Sequence, residues 1–169
     1  LLTSGANNSR ADKRQKEWKQ ALDNSYTTFF GNDHWIKAAA FYLRYQVFVL
    51  EQQIKPYLEF DEQTNAFNNY FVTFKHKEAL ATIRYEAFDS KTISPDRFCV
   101  AKKARKQGIA SKLLKTFETK AISQGYQFSL LTAEKQAVAF YQKNGYRIIS
   151  QEFLEDGLPC VKIQKSLTI

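Results

Sequence analysis

Directly after Asp33, a common helix-capping residue type, apolar residues recur at helical spacing over Ile36, Ala39, Ala40, Leu43 and Val47 and predict an amphipathic surface helix. A first strand is expected near Tyr26 to Phe30. Tyr70 to Phe74 and Leu80 to Ala87 alternate apolar and polar positions on either side of His76-Lys77-Glu78, which is a hairpin pattern. Ile93 to Val100 reads as the next strand, with Pro95 demanding a strand start or a bulge because it cannot donate to a ladder. Ser111 to Ile122 places Leu113, Leu114, Phe117 and Ala121 on one side of a helix that Gly125 stops. Phe128 to Thr132 predicts a short buried strand and Glu134 to Lys143 a helix before Asn144-Gly145. Tyr146 to Ser150 and Val161 to Lys165 read as closing strands joined through the Asp156-Gly157 turn. Pro56 breaks the pattern of Gln52 to Asn69, which is expected to be an irregular loop with at most a helical turn. Leu1 to Lys16 is polar and unpatterned, so residues 1–16 are expected to be a flexible arm before a single domain, 17–169. This order of elements predicts an α/β fold built on a mixed sheet with helices on both faces.

Composition narrows the function. A chain of 169 residues with 44% apolar content builds one well-buried core and has no room for two. It lacks a run of roughly 18 apolar residues, and Leu1 to Ala11 has no apolar centre suited to a signal peptide, so no membrane partner and a cytoplasmic location are expected. Cys99 and Cys160 are too few for a disulfide framework and lack metal-ligand spacing, so both are expected to be reduced and packed, with no metal. The net charge is +8, and Lys102, Lys103, Arg105, Lys106, Lys112, Lys115 and Lys120 stand against the single acid Glu118 in their stretch. Such a basic rim attracts a polyphosphate. Nucleic acid, a third function class, would also need a reader helix or a stacking surface; neither is visible, and nucleic acid is disfavoured as a partner. Glu51, Glu59, Asp61 and Glu62 form the opposite pole, an acidic run with only Lys55 among it.

The most specific stretch is Arg105-Lys106-Gln107-Gly108-Ile109-Ala110, which follows a strand and opens a helix. First-turn amides have no internal partner and the helix dipole adds positive charge, so this turn suits a phosphate or pyrophosphate; Gly108 allows a close approach. Its Arg-x-x-Gly-x-Ala spacing resembles the acyl-CoA pyrophosphate loop of the GNAT N-acetyltransferases. Ala137-x-x-Phe140-Tyr141-x-x-x-Gly145-Tyr146 is similar to that family's second signature, in the family's order. Arg44-x-x-Val47-Phe48-Val49-x-Glu51-Gln52 resembles the ElaA-like subgroup, as does Gly157-Leu158-Pro159, although Cys160 then stands where that subgroup has histidine. The resemblance runs from about Trp35 to Leu167.

The resemblance implies the GNAT acyl-CoA N-acyltransferase fold, a central, mostly antiparallel sheet flanked by helices. It also implies acetyl-CoA as co-substrate and direct transfer to a primary amine of a small-molecule or peptide acceptor in a ternary complex. On that reading Arg105, Lys106, Gln107, Gly108, Ile109, Ala110 and Ser111 hold the pyrophosphate, and Phe98, Cys99 and Val100 line the pantetheine arm and thioester. Tyr141 protonates the departing thiolate, and Glu86 or Glu51 accepts the amine proton. The acidic run faces a cationic amine. Glu134 replaces an asparagine that contacts the cofactor in many members. A thiol-nucleophile role for Cys99 finds no histidine nearby, and His34 and His76 are assigned no chemistry. The rival reading is a non-catalytic module of the same fold that binds CoA or a protein. Edge strands near the C-terminus are compatible with a homodimer.

Overall fold

The computed structural model describes residues 4–20, 25–60 and 68–167. Asp61 and Glu62 of the acidic run, and the middle of the Gln52 to Asn69 loop, lie outside the described residues. Helix α1 (Ser4–Gln20) occupies a segment where the pattern indicates no element. It has no apolar stripe, and Arg14 on it reaches Asp33 at 3.4 Å. The division into an arm, 1–16, and a domain, 17–169, is a proposal.

Strand β1 (Thr27–Gly31) leads to helix α2 (His34–Arg44). Asp33 starts this helix through its carbonyl, which accepts the Lys37 N–H at 3.0 Å, rather than through its carboxylate. Helix α2 runs on into a π-helical segment, Tyr45–Glu51, and the short helix α3 (Pro56–Glu59) follows. Strands β2 (Tyr70–Lys75) and β3 (Glu78–Ala87) form the expected hairpin. Its two turn residues, His76 and Lys77, have φ of 50° and 66°, the left-handed pair that matches the twist of such a ribbon.

Strand β4 (Thr92–Val100) passes through a 3-10 turn, Lys102–Ala104, into helix α4 (Ile109–Ser123), and strand β5 (Phe128–Glu134) comes next. After a second 3-10 turn, Lys135–Ala137, helix α5 (Val138–Lys143) precedes strands β6 (Arg147–Ile148), β7 (Phe153–Glu155) and β8 (Leu158–Ser166). Two expectations need correction. Glu134 ends β5, paired with Cys160, and does not open a helix. The Asp156-Gly157 turn joins β8 to β7, not to β6. The long strand β8 has β5 along one edge, and its other edge is shared by two short strands, β6 opposite Ile163 and Gln164 and β7 opposite Leu158 to Cys160.

Among the described residues the eight strands form one sheet in the order β1-β2-β3-β4-β5-β8-β6, with β7 also on β8. Every pairing is antiparallel except β4 with β5. Helix α2 covers one face, its Ile36, Ala40 and Leu43 clustering with Phe29, Tyr70, Val72 and Phe74 of the sheet. Helix α4 covers the other, where Leu113, Leu114 and Phe117 meet Ile83, Ile93 and Ile163. Burial of each such side chain contributes about 1.5 to 3 kcal/mol.

Candidate active site

Strand β4 departs from regularity twice, once on each edge. Thr82 pairs with Cys99 but Arg84 pairs with Asp96, so one β3 step is matched by an extra β4 residue and Arg97-Phe98 bulge. Arg97 has φ of 48°, in the left-handed region. The bulge lies beyond Pro95, which pairs with Tyr85, so the expected irregularity is centred on Arg97 and not on the proline. The second departure is at the other edge. Strand β5 pairs with β4 only at Thr92–Phe128 and Ile93–Ser129, after which the two parallel strands separate.

That separation leaves backbone groups of β4 without a ladder. The Ala101 N–H donates to the Leu80 carbonyl at 2.8 Å, so by antiparallel alternation Val100, outside the bulge, directs its amide away from β3. Val100 is one of the three residues, with Phe98 and Cys99, assigned to the pantetheine and thioester. Cys99 turns its side chain into the α2-face core, where burial and the nearby Glu59 push its thiol pKa up to about 12. A thiol so held stays protonated and is no nucleophile.

The loop below β4 is braced from three sides. Arg105 Nε donates to the Val100 carbonyl at 3.1 Å, and its Nη1 and Nη2 grip the two carboxylate oxygens of Glu51, Nη2 at 2.8 Å. Gln107 accepts from the Tyr26 hydroxyl at 2.9 Å and donates to the Lys103 carbonyl at 3.0 Å. Asn144, just past α5, donates to Ser111 Oγ at 3.3 Å and to the Phe140 carbonyl at 2.9 Å. The first bond of α4 runs from the Lys112 N–H to the Gly108 carbonyl at 3.1 Å, which leaves the amides of Ile109, Ala110 and Ser111 with no carbonyl one turn back. Gly108 has φ of 77°, and a Cβ there would meet nothing within 4 Å, so the space above the turn is open. Lys102, Lys103 and Lys106, in the segment just before it, are exposed, and Lys103 Nζ is paired with Glu78.

Ring contacts carry α5 to the bulge. Phe98 lies 5.9 Å from Phe140, Phe140 lies 5.1 Å from Tyr141, and Tyr141 meets Tyr146 edge-on at 5.5 Å. The Tyr141 hydroxyl has no hydrogen-bond partner among the described residues, and burial pushes its pKa up, so the phenol keeps its proton.

Residues 36–167 match the family model described as an acetyltransferase (GNAT) domain. YjcF of Bacillus subtilis, described as an uncharacterized N-acetyltransferase, is 35% identical over 127 residues, which cover 75% of this chain and 89% of YjcF. The chain belongs to the GNAT acetyltransferase family. Among solved structures, a Lactobacillus plantarum protein assigned as an N-acetyltransferase superposes with a TM-score of 0.82 at 30% identity, covering 86% of this chain and all of that one. ElaA of Escherichia coli shares the fold, with a TM-score of 0.71 at 24% identity over 84% of this chain and 99% of its own.

Within this GNAT fold the two carboxylates named for proton transfer have different surroundings. Both oxygens of Glu51 are taken by Arg105, which holds its carboxyl below the usual range. Glu86 is exposed at the far end of β3, across from Ser94 and 3.5 Å from Arg84. The acidic run does not act as an open mouth where it is described. Glu59 is buried, 2% exposed, and Arg44 Nε donates to it at 2.7 Å. His34 and His76 are exposed at a helix start and a hairpin turn. Sequence reasoning missed the polar cluster on the α2 face: Arg44, Glu59, Tyr70, Arg84, Asp96 and Arg97. One signal for it existed. Arg44 falls on the apolar stripe with Ala40, Leu43 and Val47, where a charge demands a buried partner.

Proposed function

We propose that this GNAT protein is an N-acetyltransferase that takes the acetyl group of acetyl-CoA and passes it directly to a primary amine in a ternary complex. The observation that carries this reading is the parting of β4 from β5 beyond Ile93 and Ser129, with the Val100 amide directed away from β3 and Phe98 linked through Phe140 to Tyr141, whose hydroxyl has no hydrogen-bond partner among the described residues. Amides from Lys106 to Ser111 hold the pyrophosphate at the start of α4. A β4 amide polarises the thioester carbonyl and stabilises the oxyanion that forms when the amine adds. Collapse expels the thiolate, and Tyr141, kept neutral by burial, gives it a proton. Glu51 is committed to Arg105, so Glu86, directly or through water, is the carboxylate that receives the amine proton.

Calorimetric titration with acetyl-CoA, CoA and dephospho-CoA tests the donor half. One saturable site per chain, weakened by loss of the 3′-phosphate, is the expected result, and a screen of small and peptide amines by thiol release then identifies the acceptor. A folded protein that ignores acetyl-CoA would overturn the reading.

A further inference from the structure

The segment that runs from the end of α2 through α3 touches β4 and its loop at two points. Glu59 lies buried beside the bulge, its Oε2 3.3 Å from Arg97 Nη1, while Arg44 Nη2 donates to the Glu59 carbonyl at 2.8 Å. Earlier in the same segment Glu51 receives the Arg105 fork at the last turn of the π-helical stretch. Arg97 and Arg105 therefore bracket the stretch from the thioester strand to the pyrophosphate loop. Each of the three guanidinium nitrogens of Arg105 is directed at a protein acceptor, either Glu51 or the Val100 carbonyl. The arginine of the Arg-x-x-Gly-x-Ala motif thus spends its guanidinium on protein acceptors.

We propose that Glu51 is a positioning residue for the donor: by clamping Arg105 onto the end of β4 it sets the direction in which the amides of Lys106 to Ser111 face the pyrophosphate. The inference rests on the reading of that loop as the acyl-CoA site. A forked arginine–carboxylate pair fixes orientation as well as distance, and a lysine or an amide cannot reproduce both contacts. The pair is half-exposed, with both side chains at 36%, so its effect is on loop geometry more than on folding.

The test is a double-variant cycle on the whole chain, Glu51→Gln and Arg105→Lys singly and together, with acetyl-CoA affinity read by calorimetry where all variants are folded. Glu51→Gln is expected to weaken binding roughly tenfold, and the double variant to bind no worse than the weaker single. Glu51→Asp keeps the charge but loses reach; it should lie between, and it replaces the glutamine variant if that one does not fold. Wild-type affinity in Glu51→Gln, or losses that multiply in the double variant, would overturn the proposal. A wild-type protein that does not bind acetyl-CoA overturns the donor-site reading and this inference with it.

Discussion

Tyr141 shows how much a single side chain's neighbours decide. Fourteen phenylalanines and nine tyrosines make any one aromatic in this chain an ordinary core residue by composition alone. What separates Tyr141 is a hydroxyl without a hydrogen-bond partner among the described residues, on a ring that Phe140 links to Phe98 of the bulge, whereas the buried Tyr146 spends its hydroxyl on Ser129 at 2.9 Å. Replacing Tyr141 by Phe removes the proton and keeps the ring. Turnover is expected to fall about 10²- to 10⁴-fold while acetyl-CoA affinity moves by less than about threefold. Steady-state kinetics beside calorimetry check this, and parallel losses in both would mean that the ring acts by packing. Cys99 is the opposite case: a candidate by sequence position, it is taken out of chemistry by burial. The turn at Gly108 was readable in advance because a glycine before a helix has few reasons to be there other than its φ and the amides it exposes.

At the scale of elements, the π-helical stretch and α3 act as one clip. Arg44, fully buried, holds the Glu59 side chain and carbonyl and reaches the Tyr70 hydroxyl at 3.3 Å, so the chain between α2 and β2 is tied back over the bulge. Arg44→Ala leaves Glu59 buried with Arg97 as its remaining ion-pair partner. Urea unfolding is expected to show a loss of about 3 kcal/mol, the low end of the range for a broken buried pair, and a loss under about 1 kcal/mol would deny the clip its role. Helix α4 was visible from its stripe, since Leu113, Leu114, Phe117 and Ala121 permit one face only. The clip was not visible as such: Arg44 and Glu59 lie on separate elements, and neither charge names its partner. Strand β7 was hidden for a similar reason. Its three residues are mostly exposed and become a strand only because β8 has an edge to offer.

Across the whole molecule, two layers of helix on one sheet meet at β4. The Glu51–Arg105 contact joins the α2 layer to the loop that starts α4, so its titration should register in global stability. The Glu51 carboxyl is lowered from 4.5 in the folded state by Arg105. A depressed carboxylate stabilises the fold above the unfolded value, and that contribution fades as pH falls through the lower folded value. Wild type should therefore melt above Glu51→Gln at neutral pH, with the gap closing in acid below about pH 4; a gap that persists there would assign it to packing.

Fold class, most of the order of elements and the glycine turn that starts α4 were readable from the chain, because periodicity and turn chemistry are local properties that act before any long-range contact. The three motifs were readable for the same reason, each confined to a few consecutive residues. Tertiary structure alone decided what lies between distant positions: the parting of β4 from β5, the commitment of Glu51 to Arg105, the burial of Glu59 and the setting of Tyr141. Each depends on which strand edges find partners and which charges find each other across the fold. Spacing along the chain does not carry that information.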